Sequence, residues 1–358
     1  MPLNARAKQP INSIHSLSRQ LCHRDLSSQH TALNEFELIA RYFTPAHYSA
    51  NVLLGVGDDA AVLAVPTGFK LVAAVDTIVA GVHFPLDSNP YDIGYRALAI
   101  NLSDMAAMGA IPRWFTLSLC IPTNDESWLA SFAAGLNELA NEYQVQLVGG
   151  DTVKGPLNIS VQIMGCVEAD RWLTRAGAQP GDRIYVSGTP GEAAGGLQLQ
   201  LHPELAVKHA SNLSAQHLRQ RFLRPIPRVA LGRALRLHAS AAMDVSDGLL
   251  TDLRKLCVAS QCGARIQLEA LPASTALHAM FEPARCEQLT LCGGDDYELL
   301  FTVSEQQWPA AALAIAATQV SCTQIGYIVK PHEVQCFRHA DAVNIVDSGF
   351  DHFANQPR

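Results

Sequence analysis

The chain has 358 residues, a formal net charge of -7, 48% hydrophobic residues and 16% charged ones. That length suggests two domains of roughly 150 residues each, and the composition excludes wholesale disorder. The negative charge comes without a long basic block, which argues against nucleic acid as a partner, and no run reaches the ~18 apolar residues a membrane crossing needs.

Residues 1–33 are polar and basic and lack the apolar core of a secretion signal, so they read as a disordered leader. From Glu35 the spacing of Phe36, Ile39, Ala40 and Phe43 predicts a helix that Thr44-Pro45 stops. Strands are expected over 60–65 and 70–75, then a helix that opens at Asn89-Pro90 and runs to Gly109. A strand over 113–121, a helix over 125–143 and strands near 146–148 and 158–167 follow. "RWLTRAGAQPGD", residues 171–182, reads as a junction, dividing the chain into a leader, a first domain over 34–168 and a second over 169–358. In the second, strands are expected over 183–187, 241–245, 264–268, 297–303 and 323–329, with helices over 192–201, 215–222, 228–237 and 248–260. The mixture is α+β.

Nine cysteines at irregular spacings, without a C-x-x-C pair, indicate neither a disulfide framework nor a zinc site. Free thiols in a reducing cytoplasm are expected. "GVGDDA", Gly55–Ala60, fits the dinucleotide pattern G-x-G-x-x-A, but "AAVLAVP" after it is short, β-like and ends in proline. No helix N-terminus is there to face a pyrophosphate.

The pairing of glycine with aspartate recurs at "GGDT" (Gly149–Thr152), "DVSDG" (Asp244–Gly248) and "GGDDYE" (Gly293–Glu298), while Asp76 ends a strand and Asp104 sits within a helix. A single pair is ordinary turn chemistry; repetition at the ends of apolar strands points to convergence on one site. Carboxylates gathered without a cation repel and raise one another's pKa, so such a cluster implies metal. Without a cysteine or histidine grouping, the oxygen-preferring Mg2+ is the natural choice, and it leaves positions for phosphate oxygens. A P-loop is absent from the sequence. A nucleotide would be gripped through metal, glycine-loop amides and basic groups such as Arg175, Lys154 and Arg96.

In order, "EFELIARYF", "GVGDDAAVL", "DTIVAGVHF", "RALAINLSDMAAMGA", "GGDTVKGPL", "LTRAGAQPGD", "DVSDGLLTDL" and "GGDDYELLFTV" resemble the thiamine-monophosphate kinase family, over nearly everything from Glu35 to Phe353. The glycine–aspartate pieces are shared with the wider aminoimidazole ribonucleotide synthetase-like superfamily, whereas "DTIVAGVHF" and the full order are particular to the kinase. The resemblance implies an α+β fold with an N-terminal mixed sheet that dimerises and a C-terminal α/β domain, a homodimer with the active site between the domains, and several Mg2+ ions. It implies ATP-dependent transfer of the γ-phosphoryl group onto thiamine monophosphate, giving thiamine diphosphate.

Carried over by position, the resemblance implies that Asp59, Asp76, Asp104 and Asp151 ligate metal in the first domain and Asp244 and Asp247 in the second. Gly150, Asp151, Arg175 and Ser246 match nucleotide contacts; His83, Asp295 and Phe350 match contacts to thiamine monophosphate. Ala74-Val75 stands where the family often has Ser-Thr, so a metal contact there would use main-chain oxygen. Asp295 and Phe350 replace the commoner Glu and Tyr. "RFLRPIPR", residues 221–228, resembles a family signature for which the residues alone suggest no role. No general base is assigned, because a phosphate acceptor is already largely ionised at neutral pH. The alternatives are another ATP-using enzyme of the superfamily and a nucleotide-binding module that lost its chemistry. Cys22 lacks the glycine-loop setting that selenophosphate synthetase requires, and none of the aspartates is missing.

Overall fold

The computed structural model describes residues 34–207, 212–330, 333–346, 349 and 353. Residues 1–33 and Phe350 lie outside the described residues. Helix α1 (Glu35–Tyr42) begins at Asn34, whose side chain accepts from the Glu37 amide while Glu37 accepts from the Asn34 amide. This reciprocal cap satisfies donors that a first helical turn leaves over. A short hairpin, β1 (Val52–Leu54) with β2 (Val62–Leu63), precedes β3 (Phe69–Val79). The strand expected over 60–65 thus shrinks, and the one expected over 70–75 grows to Phe69–Val79 because it pairs along its whole length with β6 (Asn158–Glu168).

Helix α2 (Pro90–Ala107) starts where Asn89 accepts from the Tyr91 amide at 2.9 Å. Every residue from Ile93 to Ala107 is buried except Asp104. A helix apolar on nearly all sides has to lie in the interior, and α2 packs against α3 (Glu126–Glu142), β3 and β6. The first sheet has the order β3-β6-β4-β5, in which β4 (Ile111–Ile121) and β5 (Gln146–Lys154) are parallel, with α3 as their crossover, and the other pairs antiparallel.

The second half contains β7 (Arg183–Ser187), α4 (Glu192–Leu201), α5 (Pro203–Val207), α6 (Asn212–Leu223), α7 (Val229–Leu235), β8 (Ala241–Val245) and α8 (Leu249–Ser260). It continues through β9 (Gly263–Gln267), α9 (Thr275–Met280), α10 (Pro283–Cys292), β10 (Glu298–Val303), α11 (Trp308–Ala316), β11 (Cys322–Val329), β12 (Val334–Arg338) and β13 (Asp341–Val343). These strands form a seven-stranded mixed sheet, β13-β12-β9-β11-β7-β10-β8, with β9 and β12 parallel. One apolar cluster runs from Leu98, Leu102 and Phe132 of the first half to Leu231, Leu299 and Phe301 of the second. Gly232 lets α7 press against α2, since a Cβ there would stand 1.9 Å from the Ala106 carbonyl oxygen. No helix among the described residues is long and apolar enough to cross a membrane.

Candidate active site

The α2–β3–β8 junction gathers carboxylates from distant parts of the chain. Along β3, Ala74 and Asp76 turn inward while Ala73 and Val75 are exposed, the alternation of a pleated strand. The Asp76 amide donates to Asn101 Oδ1 of α2 at 3.2 Å, and Asp104 follows one turn later on that helix. From β8, Asp244 accepts from Ser103 Oγ at 2.7 Å. The turn into α8 is tied down by Asp252, whose Oδ2 accepts from the amides of Ser246 and Asp247 at 2.9 and 3.0 Å. Lys255 donates to Asp252 Oδ1 at 2.7 Å and also to Asp247. A cavity of about 190 Å³ opens between these elements, lined by Ala74, Asp104, Met108, Arg175, Met243 and Asp244.

Electrostatics marks the same junction. Burial, followed by the charges of Asp244 and Asp76, pushes the Asp104 carboxyl far above the usual carboxylate range, with Arg175 opposing. Asp244 is raised by burial and by Asp252 and Asp76, although its bond from Ser103 works the other way. Asp76 is raised by burial and then by Asp247. These residues therefore interact as one group of carboxyls whose ionisation the chain leaves under-compensated.

Other candidates stand apart from that group. Asp59 is exposed in the turn after Gly57, its amide bonded to Asp58 Oδ1 at 2.9 Å. Asp151 and Gly150 are exposed on β5. Gly150 has φ 155, and a Cβ there would lie 2.0 Å from the Leu117 carbonyl oxygen, so no other residue fits that backbone. Val75 has an exposed apolar side chain, so a metal contact there would use main-chain oxygen. His83 lies in the turn after β3, where Nδ1 accepts from the Val79 amide at 3.0 Å; in the neutral ring Nε2 then carries the proton.

Asp295 sits at φ 71 and donates its amide to the Ser246 carbonyl at 2.8 Å, which sets it beside the Ser246–Asp247 turn. Arg96, which the sequence offered as a basic group for a nucleotide, is committed to protein partners instead. It is 2% exposed and donates to Asp295 Oδ1 at 2.5 Å and to the Phe222 carbonyl. Ser246 has its amide committed to Asp252, so a nucleotide contact by that residue is left to the side chain. Sequence reasoning missed Ser103, Asn101, Asp252 and Lys255; the signal available was their presence inside "NLSD" and "DGLLTDLRK".

Among the described residues, no three Asp, Glu, His or Cys side chains stand close enough to form a ready-made metal cage. The donor set nevertheless suits Mg2+, which binds through one or two carboxylates and completes its shell with water and phosphate oxygens. Lys255 already places an ammonium against Asp247, and the carboxyls of Asp76, Asp104 and Asp244 resist ionisation as they stand.

Two mixed sheets with carboxyls of β3, α2 and β8 gathered between them define a class. Residues 57–167 match the family described as AIR synthase related protein, N-terminal domain, and residues 179–338 match its C-terminal domain. The curated thiamine-monophosphate kinase of Escherichia coli is 48% identical over 325 residues, 90% of this chain and 99% of the relative. A crystal structure of thiamine-monophosphate kinase from Stenotrophomonas maltophilia is 44% identical with a TM-score of 0.76, covering 80% of this chain and 91% of that one. A solved structure of AaThiL complexed with AMPPCP and TMP is 30% identical, with a TM-score of 0.70 over 92% of this chain and 100% of that one. Within the AIR synthase-related class, the chain belongs to the thiamine-monophosphate kinase family.

Proposed function

We propose that this chain transfers the γ-phosphoryl group of ATP directly to a phosphate oxygen of thiamine monophosphate, forming thiamine diphosphate and ADP. The observation that carries the reading is the under-compensated group of Asp76, Asp104 and Asp244 beside a cavity bordered by Arg175. Such a site attracts cations, and through them phosphates. The similarity to the kinases of Escherichia coli and Stenotrophomonas maltophilia supports the choice of acceptor.

The chain needs neither a general base nor a covalent intermediate, since the nucleophile is a phosphate monoester with a second pKa of ~6. The obstacle is repulsion between two anions, which positioning and electrostatics remove. When bound, Mg2+ would screen both phosphates and bring them into line. Asp76, Asp104, Asp244 and Asp247 would hold the ions, with Asp59, Asp151 and the main-chain oxygens of Ala74 and Val75 as further ligands. Gly150, Arg175 and the Ser246 side chain would hold the nucleotide; His83, Asp295 and Phe350 would hold the acceptor.

We further infer two domains, 34–168 and 169–358, and a homodimer formed through the first. Support for the dimer is apolar exposure on β1, β2 and the edge strand β3, where Leu53, Val62, Leu71 and Val75 are 66%, 48%, 51% and 62% exposed. A cytoplasmic location agrees with the described cysteines, all free thiols.

The deciding experiment incubates the purified protein with ATP, Mg2+ and thiamine monophosphate, with thiamine and aminoimidazole precursors as controls. Thiamine diphosphate formed from the monophosphate alone is the expected result. Turnover of an aminoimidazole precursor instead would move the chain to another branch of the superfamily.

A further inference from the structure

Arg96 belongs to α2 in the first half of the chain, yet every group that holds it comes from the second. Its Nη1 donates to the Phe222 carbonyl at the end of α6, and its guanidinium lies 4.5 Å from the Phe222 ring centroid and 5.7 Å from that of Tyr297. The remaining terminal nitrogen reaches Asp295 Oδ1 at 2.5 Å. At 2% exposure this cation has no freedom to leave. Asp295 is 25% exposed in its side chain and sits in a left-handed conformation with its amide tied to Ser246. Its Oδ2 has no protein partner among the described residues.

We propose that Arg96 is the positioning residue for the acceptor end of the site: it fixes Asp295 and cancels its charge, so that one carboxylate oxygen is presented to an N–H donor of the acceptor. The inference rests on the reading of Asp295 as an acceptor contact. A carboxylate already paired with a buried guanidinium is a poor counter-ion for a thiazolium ring, because its field is spent on Arg96. It remains a directional hydrogen-bond acceptor. In thiamine monophosphate the N–H donors are on the aminopyrimidine, which is therefore the end that Asp295 recognises.

The test is steady-state kinetics of the full-length protein with thiamine monophosphate and with its oxo analogue, in which oxygen replaces the pyrimidine amino group. Arg96→Lys keeps the charge but cannot span both partners, and it should raise KM for thiamine monophosphate by about ten- to one-hundred-fold, the scale of one charge-assisted hydrogen bond. KM for ATP should stay within about twofold. Asp295→Asn, which keeps an amide oxygen for Arg96 to donate to, should narrow the wild-type preference for the amino over the oxo acceptor by about tenfold, since its amide nitrogen can donate to the oxo group. The double variant should be no worse than the poorer single one, as expected for groups that act through one contact.

Wild-type use of both acceptors with equal efficiency would overturn the proposal. So would an Arg96→Lys protein that loses turnover and melting temperature together while its acceptor KM stays put, because that is the signature of a structural role alone. Should Arg96→Lys fail to fold, the Asp295→Asn preference decides. A wild-type protein that makes no thiamine diphosphate would remove the reading beneath the proposal, and that result appears before any variant is made.

Discussion

Two groups of charged side chains drawn from water, one at the cavity and one at the start of β10, are in opposite condition. Around the cavity, burial raises the carboxyls of Asp76, Asp104 and Asp244 and neighbouring aspartates add to it, with Arg175 as the opposing charge on Asp104. At the start of β10, Glu298 is 0% exposed and fully matched: Arg228 donates through Nε and Nη2 at 2.6 and 2.5 Å, Arg221 at 2.7 Å and Ser187 at 2.5 Å. Burial by itself would raise the Glu298 carboxyl, but the bonds and charges of Arg228 and Arg221 hold it below its ordinary value. A buried charge that brings its own partners needs no ligand and serves the architecture. One left short of partners is tolerated where a ligand supplies them.

"RFLRPIPR" thereby acquires a structural role. Arg221 and Arg228 lock β10 to α4 and β7 through Glu298, Glu192 and Ser187, and Arg224 crosses to the first half, meeting Asp92 at 2.5 Å and the Tyr91 ring at 4.5 Å.

Neutralising the acidic group should have the largest effect, and on turnover only. Asp104→Asn and Asp76→Asn are each expected to lower kcat by about 100- to 1000-fold, the scale of removing one electrostatic stabiliser from a phosphoryl-transfer site. Their melting temperature without Mg2+ should be unchanged or higher, because a carboxyl whose ionisation burial opposes has gone. Near-normal turnover of both at limiting Mg2+ would dissolve the contrast.

The converse substitution acts on stability. Glu298→Gln leaves Arg221 and Arg228 buried without their counter-charge and should cost about 3–5 kcal/mol in denaturant unfolding, while the Mg2+ dependence of the protein that remains folded stays as in the wild type. A loss below about 1 kcal/mol would mean that the arginines find water or another partner.

A smaller effect is expected at Arg175, which is exposed at the cavity mouth. Arg175→Ala should raise KM for ATP by roughly tenfold or more and leave the acceptor KM in place. Movement of the acceptor KM alone would transfer this residue to the other substrate.

Smallest, and most direct as a comparison, is the pH dependence of stability. Glu298 has a depressed folded pKa, so its contribution is present above the ordinary glutamate value and lost as pH falls through the folded one. The raised carboxyls have the opposite sign: between roughly pH 4 and neutrality the folded protein binds protons the unfolded chain has released, so stability falls as pH rises. Melting curves across that range should show a decline that Mg2+ flattens and Asp104→Asn reduces. A decline insensitive to both would have another origin.

Much of the architecture was legible from local order. The Asn89-Pro90 start of α2, the strand run in β3, and the run from β8 into α8 depend on neighbours within a turn or two, so caps, prolines and apolar runs reveal them. Position 104 also stood out, as an aspartate on a helix otherwise apolar enough to be interior. Short elements such as β1, α9 and β13 escaped because packing, not propensity, holds a segment of three to six residues. Tertiary structure alone decided how charges are paired. Arg228 and Glu298 are 70 positions apart, and Arg96 and Asp295 are 199 apart. The same arginine type reads as a phosphate ligand in the sequence and becomes a buried clamp in the fold, because Coulomb and hydrogen-bond energies depend on distance in space and on exclusion of water, neither of which sequence spacing records.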